Sequence, residues 1–184
     1  KFAVFRYGAR ELPLALAMAA AFSNAMLPEV QENLSNAIQD IRRRSRKLLH
    51  LLFPVSIVAA ASSHWLYPLV FSPAFAPSAT IFNVFLLTLI SRLVFPHTLL
   101  IGLQDNRVVL WTSIVELALN FGLSLWFIQL WGLPGIALGT VVAYTFEKIV
   151  YAVFLQRKYQ IAFHQYTDWR WLCAYSFLLI AVLI

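Results

Sequence analysis

Residues 108–130 read VVLWTSIVELALNFGLSLWFIQL, a long apolar run with a single charged residue, Glu116. Crossing the hydrocarbon core of a bilayer as a helix takes about 20 such residues. Outward from this run, comparable stretches recur at roughly 2–27, 48–71, 79–103, 133–156 and 170–184, the last too short to span comfortably. The reading is an all-α polytopic membrane protein, a six-transmembrane-helix bundle whose sixth helix is incomplete. Composition agrees: 61% of the chain is hydrophobic and 12% is charged, where soluble domains carry about 25% charged residues. That balance excludes an ordinary soluble domain, a disordered chain and a secreted disulfide scaffold. Cys173, the lone cysteine, can close no internal disulfide. The first span carries Arg6, Arg10 and Glu11, which does not suit a signal peptide. A chain that begins at Lys1 is expected to be part of a longer one.

The loops set the expected orientation, because short loops rich in Lys and Arg stay in the cytoplasm. Arg42, Arg43, Arg44, Arg46 and Lys47 follow the first span, Arg107 follows the third, and Arg157, Lys158 and Arg170 follow the fifth. The remaining loops, 71–78 and 129–134, hold no base. Strict alternation places the basic loops inside and the chain start outside. It also accounts for the net charge of +6 without nucleic acid as a partner. Within 28–47, Pro28, Glu29 and Glu32 come first and the bases last, the order a helix dipole favours. Val30, Leu34, Ala37, Ile38 and Ile41 repeat at helical spacing. This segment is expected to be an amphipathic cytoplasmic connector lying on the headgroups.

Polar residues inside spans are costly and therefore informative. Arg92 falls near the middle of the third span, with Thr88 and Pro96 at four-residue spacing on the same side. Arg6 and Arg10 sit one turn apart in the first, ahead of Glu11 and the kink-prone Pro13; Ala17, Ala20, Ala21 and Asn24 continue as a small-residue face. Ser113, Glu116, Asn120 and Ser124 form a polar stripe on the fourth span. Arg92 has Glu116 as a candidate partner, Arg10 has Glu11, and Arg6 and Lys148 can reach headgroups by snorkelling. Adjacent Glu147 and Lys148 are expected to point in different directions. Gly135, Gly139 and Ala143 share one face, which allows close helix packing, and Gly132-Leu133-Pro134-Gly135 reads as the turn leading into it.

The chain carries no Walker loop, no metal-ligand cluster and no HExxH, so no catalytic or metal-ligating residue is assigned. His50, His64, His97 and His164 are scattered along it. Gly122-Leu123-Ser124-Leu125 matches the G-x-S-x string of rhomboid intramembrane proteases. A serine nucleophile needs a base within reach, however, and the nearest candidate, His164, lies in a loop.

Tyr7-Gly8-Ala9-Arg10-Glu11-Leu12-Pro13, followed by Ser23-Asn24-Ala25-Met26-Leu27-Pro28-Glu29, resembles the seventh helix of polysaccharide and O-antigen flippases. These belong to the multidrug/oligosaccharidyl-lipid/polysaccharide exporter superfamily, which also contains the lipid II flippases. Phe53-Pro54 is similar as well, as is the fourth span with Glu116 and Asn120 running into Trp131-Gly132-Leu133-Pro134-Gly135-Ile136-Ala137-Leu138-Gly139-Thr140. The resemblance implies the C-terminal six-helix lobe of a two-lobe exporter that works by alternating access. Its partners would be the bilayer, a lipid-linked oligosaccharide and the N-terminal lobe of the same chain. The implied cargo is an undecaprenyl-pyrophosphate-linked oligosaccharide crossing the bacterial inner membrane. Arg10, Arg92 and Arg6 would meet its pyrophosphate, a group that the planar guanidinium fork suits. Glu116, Asn120 and Asn24 would serve as coupling or cavity polar groups, with a proton or sodium ion as the only added requirement. A cation-coupled multidrug exporter of the same superfamily is the alternative, and it predicts an acidic, aromatic cavity.

Overall fold

The computed structural model describes residues 2–10 and 12–183, which are about 90% helical and contain no strand. In chain order the helices are α1 (Phe2–Gly8), α2 (Pro13–Glu32), α3 (Leu34–Val70), α4 (Ala76–Leu86), α5 (Thr88–Arg92), α6 (Pro96–Gly102), α7 (Asn106–Trp131), α8 (Leu133–Tyr159), α9 (Phe163–Tyr166) and α10 (Trp169–Leu183), with a 3-10 turn at Pro73–Phe75. Five segments are long and apolar enough to cross a membrane: Pro13–Glu32, Leu34–Val70, Pro73–Arg92, Asn106–Trp131 and Leu133–Tyr159. Helix α10, at 15 residues, is shorter.

Three stretches differ from the expected segmentation. The 2–27 span is two helices, parted after Gly8, because the residue before a proline is pushed out of the helical region. Leu12 is accordingly extended (φ −61°, ψ 114°) and Pro13 opens α2. The expected Arg10–Glu11 pairing lies outside the described residues.

The 28–47 connector does not exist as a separate surface helix. Residues 28–32 finish α2, and Asn33 makes a tight corner. Its amide donates to the Glu29 carbonyl and its side-chain oxygen accepts from the Asn36 amide at 3.1 Å, capping α3. Helix α3 then runs 37 residues without a break, about 55 Å. Its buried stripe, Ala37, Ile41, Ser45, Leu49, Leu52, Phe53 and Ser56, stays in register across the expected boundary at 47/48. A continuous apolar seam gives the chain no reason to turn there.

The 79–103 span is three pieces, interrupted at Leu87 and at Leu93–Phe95. Proline has no amide hydrogen, so Pro96 cannot bond the Arg92 carbonyl one turn earlier. Arg92 therefore ends α5 and Pro96 starts α6, so Thr88, Arg92 and Pro96 do not share one straight face.

Helices α7 and α8 form the most extensive pair. Gly132 joins them at positive φ (+67°), a conformation that glycine adopts without cost. A Cβ on Gly135 would collide with the Phe127 carbonyl, and one on Gly139 would come within 2.9 Å of the Ser124 amide nitrogen. The outer side of α7 (Trp111, Leu117, Phe121) is exposed, as suits a lipid-facing helix. Helix α3 is the central strut, touching α2, α4, α9 and α10; Phe53 stacks on Tyr175 of α10 with ring centres 5.3 Å apart.

The basic segments meet at one end. Lys158 Nζ lies 2.7 Å from Asp105 Oδ1, and the Tyr159 hydroxyl donates to the same carboxylate. These hydrogen bonds hold the Asp105 carboxyl below its ordinary range. Arg46 pairs with Asp168 at 3.5 Å. At the other end of α3, the Tyr67 hydroxyl donates to the Tyr7 carbonyl at 3.0 Å, and the Tyr7 ring packs on Phe71 and Phe75.

Candidate functional site

The broken α5–α6 segment packs on both α2 and α8, and a cleft of about 380 Å³ opens among the three. From α2 it takes Ser23 and Asn24, from the break Arg92 and His97, and from α8 Lys148. Small residues on α2, Ala19 and Ala20, leave the room. Two contacts fix the walls: the Ser23 and Thr98 hydroxyls are 2.6 Å apart, and the Phe22 and Phe95 rings are 4.4 Å apart between centres. Further along, Gly102 lies directly against Val30, where a Cβ would collide with its side chain.

The site is cationic. The Arg92 guanidinium lies over the Tyr144 ring, 4.5 Å from its centre. Lys148 pairs with Glu147 at 2.8 Å and lies 5.6 Å from the centre of the Tyr151 ring. This pair corrects the expectation that adjacent residues on a helix diverge: both side chains are long enough to bend together, and poor solvation at this depth favours it. His97 packs on Tyr151, ring centres 5.9 Å apart. Among the described residues the cleft lining contains two cations and no carboxylate. An anion with several oxygens could be held by the Arg92 fork on one side and the Lys148 ammonium on the other.

Of the residues singled out by sequence, Arg92 and Asn24 line this cleft. Arg10 and Arg6 line neither it nor the small pocket beside Leu12 that also borders Arg92. Both are exposed, and Arg10 sits 5.5 Å from the Tyr7 ring centre. Glu116 is half-buried on α7 and does not line this cleft. Asn120 belongs to the α7–α8 seam: its Oδ1 accepts from the Ser124 hydroxyl at 3.1 Å and from the Thr140 hydroxyl at 3.3 Å. The Thr140–Asn120 bond joins the two helices, and an interhelical bond of this kind adds about 0.6 kcal/mol. Ser124 is thus committed to Asn120, with Gly139 packed against it, and no histidine is among its hydrogen-bond partners. No group of three His, Cys, Asp or Glu among the described residues is placed to hold a metal ion.

Sequence reading underrated Lys148, His97 and Ser23. A signal for Lys148 was present: it lies four residues after Tyr144, off the Gly139/Ala143 face that packs on α7. Nothing in the sequence announced His97, because its place depends on the break at Leu93–Phe95.

A model of the family described as the lipid II flippase MurJ matches residues 2–184. No curated protein and no solved structure matches the chain.

Proposed function

The chain belongs to the lipid II flippase MurJ family, and from that premise we propose that it forms one lobe of a transporter that moves lipid II across the bacterial inner membrane. The family is one of flippases acting on lipid-linked precursors and is not a family of enzymes, which removes the intramembrane-protease reading of Ser124. The narrower assignment, lipid II in place of the O-antigen oligosaccharide that the sequence resemblance implied, rests on the family's own description. Both cargoes share a polyprenyl pyrophosphate, so the same cleft chemistry serves either.

One observation supports the reading most strongly: Arg92 and Lys148 converge on a cleft whose described lining carries no carboxylate. A pyrophosphate leaving water needs fixed cations to replace its hydration, and charge-assisted hydrogen bonds supply them. Pairing with Glu147 keeps the unloaded site from holding an uncompensated ammonium. In this mechanism the pyrophosphate takes the place of Glu147 beside Lys148 and is gripped by Arg92. The bilayer-spanning lobes then rock about it, opening the cleft to one side and then the other. A second lobe would close the opposite wall. Basic loops face the cytoplasm and the Tyr7/Phe71/Phe75 cluster faces outward.

Complementation tests this directly. In cells depleted of their own lipid II flippase, the full-length protein is expected to restore growth, and its Arg92→Ala variant, inserted at equal level, is expected not to. Growth restored by the variant would remove the assigned role.

A further inference from the structure

We propose that the cleft between the first half of α3 and α9 binds the headgroup of an anionic phospholipid of the phosphatidylglycerol type, with Arg42, Arg43 and Arg46 around its phosphate. The inference is independent of the transported cargo and concerns a second cleft, which shares no lining residue with the α2–α8 cleft.

Ser35, Gln39, Arg42, Arg43 and Arg46 recur at three- and four-residue spacing, so they share one face of α3. With Gln165 of α9 they line an open cleft of about 620 Å³. The opposite face of the same helix, through Ala37, Ile41 and Ser45, is buried in the lobe. The arginines of this segment are not equivalent. Arg44 is committed to Glu29 at 3.2 Å and to Asp40 at 3.3 Å, which occupies the one carboxylate on the cleft rim. Arg46 has a long contact, 3.5 Å, with Asp168. Arg42 and Arg43 are exposed and have no ion-pair partner among the described residues.

Depth identifies the occupant. One turn past Arg46, His50 packs on Trp171, ring centres 4.8 Å apart, and bonds the Tyr175 hydroxyl at 2.9 Å. Trp169 and Trp171 at the start of α10 are half-exposed. Exposed tryptophans beside a long apolar helix mark the level of the headgroups, so the arginines lie at or just beyond that level. Two uncommitted guanidinium groups there attract a lipid phosphate. Ser35, Gln39 and Gln165 surround them with neutral groups able to bond glycerol hydroxyls. A continuous α3 gives the arrangement its consequence, since a lipid held at residues 42–46 grips the same rigid rod that packs on α2 and α4.

The test uses the purified full-length protein in phosphatidylcholine nanodiscs, titrated with a fluorescent-acyl phosphatidylglycerol. Each arginine near an anionic headgroup contributes about a fivefold gain in affinity, so Arg42→Gln/Arg43→Gln is expected to weaken binding about 25-fold. Arg42→Lys/Arg43→Lys should recover most of it. Arg107→Gln/Arg157→Gln, which removes the same charge from the same end of the molecule, should leave it unchanged. Wild-type affinity in the first variant overturns the proposal, and so does an equal loss in the third, which would make the attraction diffuse. Full displacement by soluble inorganic pyrophosphate would also overturn it, because the site would then be one for a free anion. If the glutamine variant does not fold, mass spectrometry of lipid retained by the wild-type protein decides: retained phosphatidylglycerol is expected, and retention of phosphatidylethanolamine alone contradicts the proposal.

Discussion

The Arg92 guanidinium stacks over the Tyr144 ring, 4.5 Å from its centre, and so joins the end of the broken α5 to the middle of the unbroken α8. A cation over a ring face contributes about 0.5–2 kcal/mol. The contact fixes the guanidinium at the wall of the cleft that Arg92 lines.

Removing the ring should therefore misplace the cation without removing it. Tyr144→Leu is expected to slow flipping by a few-fold to about tenfold, Tyr144→Phe, which keeps the ring face, to slow it less, and Arg92→Ala to abolish it. Transport rates normalised to inserted protein check the order. An equal effect of Leu and Phe would show that the ring is not what matters.

Close packing of α7 on α8 predicts a contrast between two glycines. Gly135→Ala places a methyl against the Phe127 carbonyl and should destabilise by about 1–3 kcal/mol. At Gly122 a Cβ meets nothing within 4 Å, so Gly122→Ala should be neutral or stabilising by up to about 1 kcal/mol. Thermal melting of both variants in detergent compares them; similar melting points would refute the packing account.

The Asp105–Lys158–Tyr159 cluster predicts a pH signature with a definite sign. Hydrogen bonds from Lys158 and then Tyr159 lower the Asp105 carboxyl from its ordinary 3.8. A depressed carboxylate adds stability above its unfolded value, and the contribution disappears as pH falls through the lower, folded one. Wild type should melt above Asp105→Asn at neutral pH, and the two curves should converge only below about pH 3.8. Convergence already at pH 6 would mean the cluster does not form.

Orientation can be read by placing cysteines in a Cys173→Ser background. Gln160→Cys, at the basic end, should react with an impermeant maleimide only after the membrane is opened, and Ser72→Cys should react in intact spheroplasts. The reverse pattern would invert the topology.

The spans and the α7–α8 seam were legible in the sequence because they depend on local quantities. Apolar runs report themselves, Gly135, Gly139 and Ala143 share a face by spacing alone, and Gly132 sits where a tight turn needs positive φ. The misread segments depend on which of two neighbouring rules prevails. Pro28 can open a helix or be tolerated inside one, and in α2 it is tolerated. The run of arginines suggested an interfacial helix, yet the unbroken stripe from Ala37 to Ser56 carries α3 straight through it. The candidate site was half visible. Arg92 stood out for its cost in lipid, whereas Lys148 read as diverging from Glu147 and snorkelling to the headgroups. Only tertiary packing shows that Arg92 and Lys148 face one cleft and that Arg10 and Arg6 do not.

Reconstitution tests the central claim most directly. The full-length protein is placed in proteoliposomes containing fluorescent lipid II, and the fraction accessible to an external quencher is followed over time. Wild type should carry lipid II to the accessible leaflet, and Arg92→Ala/Lys148→Ala, folded by melting and monodisperse, should not. Wild-type flipping by that double variant would contradict the assignment of the cleft, and flipping of an O-antigen lipid in preference to lipid II would contradict the assignment of the cargo.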